Sequence, residues 1–337
     1  VVDMSHVSCM YQTSLDQFQV IFDKSMDVAD RATIAQRRVQ NIIDSMTYLV
    51  YRYINRGLYE TDKSSFKLII AFKVLITAGK LDPGLVSLFL RGGSALNIAA
   101  SKKKPFAWIS NESWLNALAM SQQTALFKTL PEEIERNPAD WLTYYEENEP
   151  ENVENPIEVK FAGEEDVRQN FYRLLCVRCL RPDRTLLAVN DFIKRSEFCS
   201  MGANKLPIMG PKFVDPVTDT GESILQEMTP TTPVIYLLSA GADPTDSLES
   251  LARKKRKGVE CVSMGEGQDV VAKAAIAQAS QNGSWVLLQN CHLGLDFIDQ
   301  LEDLLLHLRQ PESGCQPDFK LFITTEPHVA FSIGLLQ

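Results

Sequence analysis

The feature that most constrains the fold is an alternation of short apolar runs and amphipathic segments from Pro233 onward. Strands that alternate with helices of roughly 10 to 15 residues are typical of βαβ units and a mostly parallel sheet. The run of apolar residues that begins at Trp285 predicts a central strand buried on both faces. The predicted order is strand Val234–Leu238, helix Asp246–Lys255, strand Val259–Ser263, helix Gln268–Ser280, strand Trp285–Gln289, helix Asp296–Leu308 and strand Phe319–Thr324.

The first half of the chain is predicted to be helical. Between residues 14 and 56, apolar side chains recur every three or four positions in two segments, and the polar stretch between them indicates a hairpin. A third helix is predicted over residues 64–77, and helix dominates to about residue 148. Because a domain averages about 150 residues, a chain of 337 residues predicts about two domains.

Two irregular stretches separate the halves. Residues 146–158 hold six glutamates and two prolines without periodicity, which predicts a linker. A helix is predicted over residues 164–180, and the composition of residues 199–232 predicts a long irregular connection. The predicted division is therefore 1–150, 151–232 and 233–337.

The composition narrows the class of protein. A formal net charge of −9 argues against a dedicated nucleic-acid binder, which needs a basic face. No stretch approaches the roughly 18 to 20 apolar residues of a membrane helix, and the N-terminus lacks a signal-peptide pattern. Seven cysteines, an odd number, favour a reducing compartment. The sequence therefore predicts an intracellular protein that binds neither nucleic acid nor membrane. Its start at Val1 and its end within an apolar segment predict a piece of a longer chain.

Several motifs have a plain structural interpretation. Cys176 and Cys179 have a C-x-x-C spacing but lie in a helical apolar pattern, which predicts core thiols rather than a metal or redox site. The basic runs 102–104 and 253–257 are predicted to be solvated surface. Met264–Gln268 begins like a dinucleotide-binding fingerprint but lacks its last glycine, so a tight turn between strand and helix is predicted.

The loop after the first predicted strand lies where a P-loop NTPase binds phosphate. Such a loop needs glycine-permitted backbone N–H groups, a lysine for the phosphates and a hydroxyl for magnesium. The corresponding positions here are Gly241, Asp243, Pro244 and Thr245. Proline removes a donor and an aspartate repels phosphate, so the sequence predicts no nucleotide at this loop.

The ends of the other strands also lack catalytic groups. Gln289 and Asn290 stand in the place of a Walker B acidic pair, and neither can hold magnesium as a carboxylate or act as a base. The sensor position of such a site corresponds to Thr324, Thr325 and Glu326. The sequence therefore predicts no catalytic, cofactor-binding or metal-binding residues in this segment. The alternative is a P-loop-like or Cys/His hydrolase centred on Cys291 and His292.

A set of motifs in fixed order carries a resemblance to a known family. Those of the second half resemble the sixth AAA+ module of dynein heavy chains: Pro233–Thr245, Ser263–Gln268, Trp285–Leu293 and Thr324–His328. Those of the first half resemble the segment that completes the fifth module: Met10–Leu15, Arg56–Glu60, Arg91–Leu96 and Arg181–Arg184. Gln289–Phe297 is similar to axonemal outer-arm chains of the gamma type, whereas residues 199–212 depart from that type.

The resemblance implies a fold and a division. The fold would be a degenerate, P-loop NTPase-like α/β AAA+ module preceded by an α-helical lid subdomain. Residues 1–150 would hold the end of the fifth module with its lid, and residues 14–56 would be the buttress, a helical coiled coil that braces the stalk. Residues 151–232 would be the linker and leading helix of the sixth module, and 233–337 its incomplete core.

The resemblance also implies a function. Dynein heavy chains are ATP-driven, minus-end-directed microtubule motors, so this segment would be a structural, force-transmitting part without a cofactor of its own. ATP and magnesium would bind in other modules of the parent chain. The implied partners are the other AAA+ modules, the stalk, microtubules, and dynein intermediate and light chains. The implied location is the cytoplasm, cytoskeleton and the axoneme of a cilium or flagellum.

Overall fold

The computed structural model describes residues 2–92, 102–195, 209, 211–215 and 220–336, and it separates into two compact units. We call the first the α/β unit; it comprises Val1–Asp27, Arg52–Tyr59 and Val217–Gln337. We call the second the helical unit; it comprises Val28–Tyr51 and Glu60–Pro216. The Gly93–Leu96 part of the Arg91 motif, and all but residues 209, 211 and 212 of the segment 199–212, lie outside the described residues.

The helices are numbered in chain order. They are α1 Val2–Ser5, α2 Leu15–Val28, α3 Ala35–Asn55, α4 Glu60–Thr77, α5 Pro83–Arg91, α6 Asn111–Gln123, α7 Leu130–Arg136, α8 Pro138–Glu146, α9 Asp166–Leu180, α10 Thr185–Arg195, α11 Gly221–Glu227, α12 Thr245–Lys255, α13 Asp269–Asn282, α14 Leu295–Leu308 and α15 Ile333–Leu336. The helices predicted before residue 78 are therefore present as α2, α3 and α4. None of the described helices combines the length and the apolar character needed to cross a membrane.

The α/β unit contains the predicted parallel sheet. Its strands are β1 Val234–Leu237, β2 Val259–Ser263, β3 Trp285–Gln289 and β4 Lys320–Thr325, in the spatial order β1-β4-β3-β2. All three pairings are parallel. The α/β fold class predicted from the alternation is confirmed, and the bounds of β2 and β3 are those expected from the sequence.

β3 is buried on both faces, as its apolar run predicted. Val286 and Leu288 pack with α13 and α14 in one core cluster, and Trp285 and Leu287 pack with α12 in the other. Side chains alternate across a strand, so four consecutive apolar residues supply both layers of the core. This burial fixes the position of β3 in the sheet, and therefore the position of Gln289, its last residue.

The helical unit is built around aromatic rings. Phe72 packs edge-on against Phe89 and Phe171, with ring centroids 5.5 and 5.7 Å apart. Trp114 on α6 and Trp141 on α8 are also buried in this unit. Edge-to-face pairs are favoured by the ring quadrupole, so these contacts join α4, α5 and α9.

The acidic stretch 146–158 is folded against the rest of the helical unit. Arg181 donates hydrogen bonds to the carbonyl groups of Tyr145 and Glu147, both at 2.6 Å. Arg184 makes an ion pair with Glu151, and Arg173 makes one with Glu158. Three arginines of the α9–α10 region thus neutralise and hold a segment whose composition is typical of a flexible linker.

Candidate functional site

The positions singled out in the sequence meet at one edge of the sheet. Thr245 begins α12 after β1, Gln289 ends β3, and Thr325 ends β4. Because all four strands are parallel, their carboxyl ends lie at the same edge, where open α/β sheets bind ligands. The structure therefore places the three groups of residues as a nucleotide site would require.

The spacing of a phosphate loop is retained while its chemistry is lost. When Thr245, the first residue of α12, is aligned with the hydroxyl of G-x-x-x-x-G-K-[ST], the two glycines fall on Leu238 and Asp243 and the lysine on Pro244. The N–H of Leu238 donates to the carbonyl of Thr325 at 2.8 Å, which extends the strand ladder into this position. Of the four defining residues, only the hydroxyl remains.

Asp243 places a negative charge within its own loop. Its Oδ1 accepts hydrogen bonds from the backbone N–H of Thr245 at 2.9 Å and from the Thr245 hydroxyl at 2.5 Å. These bonds hold the pKa of the Asp243 carboxyl below its usual range. The first amide of α12 and its hydroxyl, which face phosphate and metal in a working loop, are therefore already occupied by a carboxylate.

Gln289, at the end of β3, completes the same group of side chains. Its Nε2 donates to the Thr245 hydroxyl at 2.8 Å. In P-loop NTPases this hydroxyl and the Walker B aspartate both hold magnesium. Here an amide takes the place of the carboxylate and binds the hydroxyl directly, so the hydroxyl donates to Asp243 and accepts from Gln289.

The hydroxyls at the sensor position are also engaged within the protein. Thr324 and Thr325 are buried. The Thr324 hydroxyl accepts from the N–H of Asn290 at 3.1 Å, and the Thr325 hydroxyl donates to the carbonyl of Glu326 at 2.9 Å. Asn290 adopts a left-handed conformation with φ 57°, which turns the chain sharply after β3. These bonds fix the strand ends rather than leaving hydroxyls directed at a ligand.

The geometry does not support the Cys/His alternative. The Cys291 side chain is fully buried in the core cluster, its Sγ lies 3.7 Å from the carbonyl oxygen of Leu288, and burial raises the pKa of its thiol to about 12. A nucleophilic cysteine needs a lowered pKa and access to substrate. His292 Nδ1 accepts from the N–H of Glu326 at 3.1 Å, which joins the ends of β3 and β4. Both residues therefore have structural contacts.

Two tyrosines at this edge were missed by the sequence analysis. The Tyr59 hydroxyl donates to the carbonyl of Leu238 at 3.4 Å, and the Tyr59 N–H donates to the Tyr11 hydroxyl at 3.2 Å. Met10 is buried in the core cluster that covers β3 and β4. The motifs Met10–Leu15 and Arg56–Glu60 signalled these residues, but no local spacing shows that they reach a strand more than 170 positions along the chain.

The remaining motifs have the structural roles expected of them. Cys176 and Cys179 are buried on α9, and burial raises the pKa of both thiols. The Met264–Gln268 segment is a tight turn in which the N–H of Gln268 donates to the carbonyl of Gly265. Both basic runs include ion pairs, Lys102 with Glu135 and Lys257 with Asp318. Within the described residues, no three His, Cys, Asp or Glu side chains are grouped to hold a metal ion.

Comparisons with known proteins identify relatives of this chain. Residues 229–337 match the family model described as the dynein heavy chain region D6 P-loop domain. The whole chain is 39% identical to the dynein gamma chain of the flagellar outer arm of Chlamydomonas reinhardtii, over 338 residues. It is 35% identical to human dynein axonemal heavy chain 8 and 37% identical to mouse dynein axonemal heavy chain 5. All of this chain is covered in each comparison, and it spans 7% of the length of each relative.

Proposed function

The chain belongs to the dynein heavy chain family, and we propose on that basis that it is a structural, force-transmitting segment of an ATP-driven, minus-end-directed microtubule motor. The names of its relatives, which are flagellar and axonemal chains, support action in the axoneme of a cilium or flagellum. In this proposal ATP and magnesium bind in other modules of the parent chain, and the intermediate and light chains of the motor assemble with other parts of it.

The chain is assigned to two modules of the motor ring. Residues 1–150 complete the fifth AAA+ module and its helical lid, with the buttress at about residues 14–56. Residues 151–232 lead into the sixth module, and residues 233–337 form its α/β core. The family match over residues 229–337 supports the last of these assignments. Two helices, α2 and α3, lie within the residues assigned to the buttress.

We further propose that the sixth module itself binds no nucleotide. The observation that carries this proposal is that the backbone N–H and the hydroxyl of Thr245 are already hydrogen-bonded to Asp243 and Gln289. A nucleotide would have to displace a carboxylate whose charge repels phosphate, and it would find no lysine at position 244 to compensate. Magnesium would find an amide where it needs a carboxylate.

Photoaffinity labelling of the full heavy chain tests the proposal. The chain is irradiated with an azido analogue of ATP and magnesium, with and without excess ATP, and the labelled peptides are identified by mass spectrometry. We expect ATP-protected labels in other modules, which serve as the internal positive control, and none in peptides that span residues 238–263 or 285–293. An ATP-protected label in either peptide would show that the sixth module binds nucleotide and would refute the proposal.

A further inference from the structure

We propose that Asp243, Thr245 and Gln289 form a built-in substitute for phosphate and magnesium, which holds the start of α12 against the end of β3 without a bound ligand. This inference rests on the proposed function, in which no nucleotide binds at this edge. It goes further because it treats the edge as filled by the protein's own groups, rather than as an empty site that has lost its ligand. We call these three residues the internal lock.

The first part of the internal lock replaces phosphate. The start of a helix carries unpaired N–H groups and a partial positive charge, which is why phosphate binds there in P-loop proteins. Asp243 supplies an anion at the start of α12 through Oδ1, 2.9 Å from the N of Thr245. The carboxylate belongs to the same loop, so it satisfies the donor without any bound ligand.

The second part replaces magnesium. A metal held by the loop hydroxyl and a Walker B aspartate joins the loop after one strand to the end of another. Gln289 Nε2 makes this link directly, 2.8 Å from the Thr245 hydroxyl. β1 and β3 are not neighbours in the sheet, because β4 lies between them. The bond therefore ties the start of α12, the helix that follows β1, to the end of β3, a strand that β1 does not pair with.

An internal substitute differs from a ligand in its kinetics. A nucleotide binds, is hydrolysed and leaves, so its loop alternates between two arrangements. Groups attached to the same chain are present at a fixed, high effective concentration, so the contact persists. The internal lock would make this edge a rigid connector through every cycle of the motor.

Hydrogen–deuterium exchange in the full heavy chain tests the internal lock. The readout is the exchange rate of the amides of Ala242, Thr245 and Leu248, compared between wild type and single variants. Gln289→Leu removes the donor from β3, and Thr245→Val removes the hydroxyl while keeping its shape. Each is expected to accelerate exchange at the start of α12 about fivefold, the effect of one neutral hydrogen bond. Thr245→Ser keeps the hydroxyl and should retain wild-type exchange.

A matched control and a double variant separate the internal lock from a local turn. Gln281→Leu makes the same change on the exposed surface of α13 and should leave these amides unaffected. If Asp243 only forms a turn with its own neighbours, Gln289→Leu will not change exchange at α12, and the inference is overturned. If both act through Thr245, combining Asp243→Ala with Gln289→Leu will accelerate exchange by less than the product of the single effects.

The two proposals fail in different ways. An ATP-protected label in the peptide that contains Thr245 would refute the absence of nucleotide, whatever the exchange rates show. Unchanged exchange in Gln289→Leu would refute the internal lock, while the absence of labelling would still support a module without nucleotide.

Discussion

Gly92 occupies a backbone conformation that only glycine adopts readily. It ends α5 with φ 62° and ψ −160°, and a Cβ added there would lie 2.9 Å from Oδ1 of Asn116. Asn116 cannot easily retreat, because its Nδ2 donates to the carbonyl of Cys179 on α9 at 3.1 Å. We expect Gly92→Ala to lower the free energy of unfolding by about 3 kcal/mol, measured by urea denaturation.

The loss at Gly92 has two causes, the positive φ and the contact with Asn116, and Gly79→Ala separates them. Gly79 also has a positive φ, 68°, but no atom lies within 4 Å of an added Cβ. Only the backbone cost of about 1 kcal/mol applies there. Equal losses in the two variants would show that the contact with Asn116 does not contribute.

The raised pKa of Tyr51 predicts that the protein loses stability at alkaline pH. Its side chain is buried, its hydroxyl donates to the carbonyl of Phe213 at 2.8 Å, and burial together with Tyr48, Glu60 and Asp215 raises its pKa from 10.0 to about 12. Because the folded-state pKa is the higher one, the stabilisation is complete below pH 10 and is lost as the pH rises towards 12.

Tyr51→Phe measures this contribution. At pH 8 the variant should be less stable by about 1 kcal/mol, because the carbonyl of Phe213 loses its donor. Between pH 10 and 12 the difference in stability should shrink. In this range Tyr51 ionises in the unfolded state before it ionises in the folded state, and this destabilises the wild type but not the variant. Urea denaturation followed by circular dichroism at several pH values would show this convergence. If Tyr51→Phe and Tyr48→Phe lost stability with pH to the same extent, the alkaline loss of stability would belong to a group other than Tyr51.

At the scale of elements, the sheet could be predicted because its information is local. The apolar run from Trp285 to Leu288 and the helix pattern on either side identify β3 without knowledge of its partners. The internal lock could not be predicted in this way. Gln289 and Thr245 are 44 positions apart, and their hydrogen bond depends on strand order, which the pattern of apolar residues leaves open. Residues 146–158 show the same limit, because the arginines that hold this segment lie elsewhere in the chain and cannot be inferred from the segment's own composition.

Substitution of Leu288 should destabilise the α/β unit more than most substitutions in it. Its side chain is fully buried, and it is paired with Ile323 on β4 and Val262 on β2. We expect Leu288→Ala to lower the free energy of unfolding by about 2–5 kcal/mol, because it leaves a cavity at the centre of the core. Leu293→Ala, where 61% of the side chain is exposed, should change it by no more than about 0.5 kcal/mol. Similar losses at both positions would contradict the burial of β3.

Arg181 is expected to protect the acidic stretch 146–158 from proteolysis. Its guanidinium bonds the carbonyl groups of Tyr145 and Glu147 and makes an ion pair with Asp183. Lysine cannot reproduce this fork of donors, so Arg181→Lys should release the segment locally. A glutamate-specific protease should then cleave after residues 146–154 about tenfold faster, assuming a loss near 1.4 kcal/mol. Arg136→Lys, an exposed change on α7, should leave the rate unchanged; equal acceleration would indicate general loosening.

At the scale of the whole molecule, the motor proposal predicts that an exposed part of α3 is covered by another part of the heavy chain. Val39 and Ile43 lie one turn apart on α3, and 55% and 49% of their surfaces are exposed. If residues 14–56 brace the stalk, this apolar pair is a natural contact, because exposed apolar patches mark interaction sites.

Replacing both residues by glutamate tests the bracing role in the full heavy chain. The fold should survive, since neither side chain is in the described core, and ATP turnover without microtubules should stay at the wild-type rate. Microtubule-stimulated turnover and gliding velocity should each fall about twofold or more, the effect of losing at least 0.5 kcal/mol of coupling. Arg37→Ala, on the same helix, is the matched control. Wild-type gliding in the double variant would contradict a buttress at this position, whereas a parallel loss of basal turnover would place residues 14–56 in support of hydrolysis rather than of transmission.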